Sequence, residues 1–181
     1  THDAPRTRAP RWSPDGEQLL FDGMRDEVIG VYAVRHDGTG LRRLSGESYR
    51  YLFPSWSPDG TRVVASDETP QPIVFDLEDV WDAQRPTEPD PERAGWVATS
   101  WSPDGRWIAV STAERIGRMD AESGAIEELL DHGFWPHWMS DSRRLLVGEG
   151  ERVFVFDTLT GEAADVMSVA PGRLSMRHPL T

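Results

Sequence analysis

The sequence predicts an all-β protein built from four copies of one four-stranded unit. Three observations carry that reading. The pentad Trp12-Ser13-Pro14-Asp15-Gly16 returns at Trp56 to Gly60 and at Trp101 to Gly105, with a worn copy at Trp138 to Ser142. The four Trp residues therefore stand 44, 45 and 37 residues apart, a period that belongs to repeat architectures. An apolar run follows each pentad, and a second apolar run then ends at or shortly before an Asp.

Each element follows from local chemistry. Pro presets the backbone for the second position of a type I turn, and Asp bonds nearby amides. Gly then takes the left-handed conformation that closes a bulged hairpin. Ser142 stands where the other copies have Gly, and a residue with a Cβ there costs on the order of 1 kcal/mol. The next strands are Leu19-Leu20-Phe21, Val63-Val64-Ala65, Ile108-Ala109-Val110 and Leu145-Leu146-Val147. They are apolar at every position, so both faces are covered. Third strands are expected at Val31 to Val34, Ile73 to Asp76, Ile116 to Asp120 and Val153 to Asp157. Fourth strands are expected at Leu41 to Leu44, Val80 to Ala83, Ala125 to Leu130 and Ala163 to Met167. Middle strands buried on both faces require the repeats to stack face to face, and four-stranded repeats of this length that stack radially are β-propeller blades.

The chain reads as one domain, residues 1–181, with blades at about 8–46, 52–85, 96–130 and 134–168 and a tail from 169 to 181. Pro86, Pro89 and Pro91 make residues 85–92 an acidic loop between blades, because Pro cannot serve a central strand. Four blades can close as a small ring, which the length favours; the chain would then be a monomer without a long free strand edge. The other arrangement is part of a larger propeller completed by a partner.

Composition narrows the partners. The net charge of −12 argues against nucleic acid and anionic membranes. There is no Cys, hence no disulfide or thiolate chemistry, and no Lys for a phosphate-binding loop. No apolar stretch approaches the ~18 residues of a membrane-spanning helix. No cofactor is expected.

The repeat resembles the WD-repeat-like β-propeller repeat of TolB and of the propeller domains of prolyl-oligopeptidase-type enzymes. The three intact pentads, the apolar strand after each and the later Asp-to-Gly turn carry the resemblance, over residues 8 to 168. It implies blades that each begin and end within one repeat. It also implies a periplasmic or secreted setting, with a cytoplasmic one left open by composition. No Gly-x-Ser-x-Gly elbow occurs in the sequence, so the hydrolase machinery of those enzymes is not in this stretch.

Chain direction puts the pentad turns on one face of the disc and the loops entering each first strand on the other. The resemblance implies that this second face carries the site. Its entering loops hold Tyr49, Arg50, Tyr51 and Phe53, then Trp96, then Asp131, His132, Phe134, Trp135 and His137; strand-linking loops add Arg25, Asp26 and Glu68. Flat aromatic side chains at a channel mouth suit a peptide, protein or small-molecule ligand. The competing expectation for Phe53, Trp96 and Trp135 is packing between blades. Asp131, His132 and His137 are the candidates for acid–base chemistry, with Arg50 to stabilise an anion. They would serve a lyase, hydrolase or cyclase, the alternative to a non-catalytic binding module. Two His do not make a zinc site, which needs three or four ligands, so no metal is expected.

Overall fold

The computed structural model describes residues 7–25, 28–46, 50–78 and 90–168. Tyr49, Asp26, the expected strand at Val80 to Ala83, most of the 85–92 loop and the tail lie outside them. The described residues are all-β and form four antiparallel sheets in chain order. Blade 1 contains β1 (Thr7–Trp12), β2 (Gln18–Arg25), β3 (Val28–Arg35) and β4 (Arg42–Arg43). Blade 2 contains β5 (Tyr51–Trp56), β6 (Arg62–Asp67) and β7 (Pro72–Asp76). Blade 3 contains β8 (Val97–Trp101), β9 (Trp107–Ser111), β10 (Ile116–Asp120) and β11 (Ile126–Leu130). Blade 4 contains β12 (Phe134–Trp138), β13 (Arg144–Glu149), β14 (Arg152–Asp157) and β15 (Ala163–Ser168).

The pentads form the predicted turns. Gly16, Gly60 and Gly105 have φ of 75, 73 and 77°, and Ser142 is forced into the same region at 54°. A side-chain bridge locks each intact turn. The hydroxyls of Ser13, Ser57 and Ser102 donate to the carboxylates of Asp15, Asp59 and Asp104 at 2.6, 2.6 and 2.5 Å. Each hydroxyl also accepts the backbone N–H five residues on, at 2.9 Å. This satisfies groups that the turn takes from water. The fourth copy has Met139 in place of Ser. Its Asp141 instead accepts the N–H groups of Arg143 and Arg144, at 3.1 and 3.0 Å.

Three apolar clusters make the core, one between each pair of consecutive blades. Leu20 and Val31 of blade 1 cluster with Trp56, Val63 and Phe75 of blade 2. Val64 of blade 2 joins Trp96, Trp101 and Met119 of blade 3. Ala109 and Ile116 of blade 3 join Trp138, Leu145 and Phe154 of blade 4. Hydroxyls latch each blade to the inner strand of the next: Ser66 Oγ accepts the Ala98 N–H at 2.9 Å, and Ser100 Oγ accepts the Trp138 N–H at 3.1 Å.

Four blades form, but the last does not pack on the first among the described residues. Trp56, Trp101 and Trp138 are each 6% exposed, whereas Trp12 is 57% exposed. Extensive sheet-to-sheet packing joins consecutive blades only. Among the described residues, then, blades 1 and 4 share no face-to-face packing, although Arg11 and His137 reach one central cavity.

Candidate functional site at the channel mouth

Every inner strand carries a bulge two or three residues before its Trp, with register shifts at Arg8/Arg11, Leu52/Ser55, Ala98/Ser100 and Phe134/His137. A bulge bends a strand and re-aims a side chain. Here it does so at the expense of backbone strain: Ala9, Phe53 and Trp135 have φ of 49, 55 and 52°, worth about 1–2 kcal/mol for each residue with a Cβ. Such strain persists only where the surroundings enforce it. Next to Trp135, the Pro136 carbonyl accepts the Thr99 hydroxyl at 2.6 Å. The backbone N–H of Phe53 itself interacts with the carboxylate of Asp22.

The two strained aromatics converge. Phe53 of blade 2 and Trp135 of blade 4 meet edge to face, with centroids 5.1 Å apart and planes at 67°. Together with Phe134, Pro70, Val97 and Thr112 they line a cleft of about 430 Å³. Phe53, Val97, Phe134 and Trp135 lie in the first halves of β5, β8 and β12, and Pro70 and Thr112 in the turns that follow β6 and β9. Trp135 is 54% and Phe134 41% exposed, so both rings face solvent. Gly148 makes room for Phe134, since a Cβ there would sit 2.9 Å from its ring.

Behind this cleft lies Asp22, fully buried and paired with Arg8 at 3.1 Å. Burial is the largest influence on its carboxyl and pushes the pKa up, with Arg8 opposing. Sequence reasoning passed over Asp22, although a carboxylate directly following Leu19-Leu20-Phe21 is the signal that could have found it.

A second cavity of about 260 Å³ lies nearer the pentad turns, lined by Arg11, Trp12, Trp56, Trp101 and His137 among others. His137 presents accessible surface to it, yet the surrounding protein withdraws enough water to lower the imidazole pKa, with Arg11 as the second cause. Arg11 was not visible as a partner from sequence because it belongs to a different blade.

The remaining candidates divide. Tyr51 is fully buried and packs edge to face on Phe75 at 5.0 Å. Trp96 is 5% exposed inside the second core cluster. Both are therefore packing residues, Tyr51 from β5 and Trp96 from the residue before β8, and they leave the exposed face. Arg50 is exposed. His132 Nδ1 lies 2.9 Å from Asp131 Oδ1, and its Nε2 lies 4.0 Å from Glu149 Oε1. That hydrogen bond holds the Asp131 carboxyl below its ordinary pKa. His137 belongs to the second cavity with Arg11, so the three acid–base candidates are split between two places. Among the described residues no group of three or more His, Asp or Glu is arranged to hold a metal ion.

The fold and the repeats define a β-propeller of TolB-like, WD-repeat-like blades. No family model matches the sequence. Its structure is similar to TolB from Acinetobacter baumannii, with a TM-score of 0.72 and 16% identity, covering 92% of this chain and 44% of that one. In sequence it is similar to an uncharacterized peptidase, YuxL, of Bacillus subtilis, 26% identical over 133 residues, which are 73% of this chain and 20% of the relative. It is also similar to a TolB homolog of Chlorobium luteolum, 39% identical over 74 residues, which are 38% of this chain and 16% of the relative. The chain thus spans a fifth or less of these curated relatives. At this identity the likeness to solved structures shows the fold, and one fold hosts many functions.

Proposed function

We propose that this chain is a non-catalytic binding module that takes an apolar or aromatic side chain of a peptide or protein segment into the cleft at the channel mouth. The observation that carries this reading is the Phe53–Trp135 pair, set edge to face by strained bulges and open to solvent. Strain of this kind does nothing for folding. Exposed rings held rigidly on a scaffold supply contact area with little ordering entropy left to lose. Thr112 on the rim offers a hydroxyl to an extended backbone. If the chain works inside a larger polypeptide, as its short span of the peptidase-named relative suggests, the cleft would admit or orient substrate while bond breaking lies elsewhere.

The test is selection of a random peptide library on the chain, followed by titration of the enriched peptides. Binders should carry an apolar or aromatic anchor and lose at least tenfold in affinity against Phe53→Ala/Trp135→Ala. Binders that keep full affinity for the double variant overturn the proposal.

A further inference from the structure

The residue before each repeated Trp is polar: Arg11, Ser55, Ser100 and His137. The repeat gives these four positions one place in the fold, at the end of each blade's inner strand. All four line the cavity of about 260 Å³, so each blade contributes one polar side chain to a shared centre. The pentad Trp and Pro residues of the first three copies form its apolar wall. Among the described residues the lining holds no Asp or Glu, although the chain carries 31 of them against 19 basic residues.

Arg11 is the charged member. Its guanidinium donates to the Pro10 carbonyl at 3.2 Å, and its Nε–H is shut off from solvent with no acceptor among the described residues. It enters no ion pair among them, unlike Arg8, which is held by Asp22. A partly buried cation without a counter-charge is costly, and apolar walls focus its field. That field reaches blade 4, where it is the second cause, after burial, of the lowered His137 pKa. The hydroxyls add uncharged donors. Ser100 Oγ accepts the Trp138 N–H at 3.1 Å, which leaves its own hydrogen available to donate.

We propose that this cavity is an anion site. It takes a small oxyanion, a carboxylate or a phosphate-type group, with Arg11 supplying the charge and Ser55, Ser100 and the His137 imidazole supplying further hydrogen-bond donors. An oxyanion between Arg11 and His137 also ties blade 1 to blade 4, which share no face-to-face packing among the described residues. The cavity shares no lining residue with the cleft of Phe53 and Trp135, so the anion site stands whether or not that cleft binds a peptide.

Sodium sulfate and sodium acetate, titrated separately at constant ionic strength and read by indole fluorescence, test this. Each should give a saturable change, because Trp12, Trp56 and Trp101 wall the cavity. The tighter of the two tells whether a tetrahedral phosphate-type group or a planar carboxylate is preferred. Arg11→Gln should weaken both at least tenfold, as the loss of charge-assisted hydrogen bonds requires. Ser55→Ala, which alters no charge, should weaken them at least twofold. An unchanged near-ultraviolet circular dichroism spectrum shows that the blades remain folded in each. Arg42→Gln, which removes an exposed charge elsewhere, should bind like the parent. No saturable change with either ion overturns the proposal. So does parental affinity in Arg11→Gln or in Ser55→Ala, or a loss in Arg42→Gln equal to that in Arg11→Gln.

Discussion

Phe53 and Trp135 touch through their rings at 5.1 Å while both hold left-handed backbones. The contact therefore joins two strained residues of blades 2 and 4. Trp135→Gly relieves the backbone by about 1–2 kcal/mol but removes an aromatic pair worth about 0.5–1.5 kcal/mol. Thermal melts should find the variant within about 1 kcal/mol of the parent, since these terms offset. Titration with a selected peptide should find binding weakened at least tenfold. A variant that binds normally would make the pair a structural ornament of the fold.

Ser142→Gly has two opposing effects. Glycine suits the φ of 54°, a relief of about 1 kcal/mol. The Ser142 hydroxyl, however, accepts the Asp104 N–H at 2.9 Å and ties the turn of blade 4 to that of blade 3. Losing such a bond costs about 0.5–1.5 kcal/mol. The expected change in unfolding free energy is within about 0.5 kcal/mol of zero, by the near balance of these terms. Ser142→Ala keeps the strain and loses the bond, so chemical denaturation should rank it least stable of the three.

The repeated Trp residues are not equivalent. Trp101→Ala removes a side chain that is 6% exposed and lies in the second core cluster, and should cost about 3–5 kcal/mol. Trp12→Ala, with Trp12 57% exposed, should cost less than about 1 kcal/mol. Equal losses in urea unfolding would mean that Trp12 is packed in solution.

His137 gives stability a pH dependence of fixed sign. Its folded pKa lies below the unfolded value of 6.5, so the unfolded chain binds the extra proton as pH falls. Its contribution is most favourable above pH 6.5 and declines as the solution is acidified towards the folded value. His137→Gln should melt less steeply with acidification between about pH 7 and 5 than the parent. Parallel curves would place His137 in ordinary solvent.

The repeat was legible because its signal is local. Pentad, apolar run and Asp-to-Gly turn each act within a few residues, and all four copies specify the same hairpin chemistry. The site was half legible. Chain direction grouped Phe53, Phe134 and Trp135 on one face, and the structure brings these three side chains to one cleft. It could not separate these from Tyr51 and Trp96, since a bulge decides which way each aromatic points and no residue type announces a bulge. Arg11 stayed hidden for a different reason: its role comes from contact with another blade, whereas Asp22 had a local signal in the apolar run before it. Closure was left open between a small ring and part of a larger propeller, because length counts blades but does not measure the angle between them.

The latches from Ser66 to Ala98 and from Ser100 to Trp138 join one blade only to the next. The molecule is in this sense a linear string of coupled units, and its cooperativity runs along one dimension. In such a string the middle units are clamped from both sides and the terminal ones from one. Amide hydrogen exchange of the isolated chain should therefore be slowest in the central strands of blades 2 and 3 and faster in blades 1 and 4. Joining the two ends would abolish that gradient, so the exchange profile reports whether the string has become a circle.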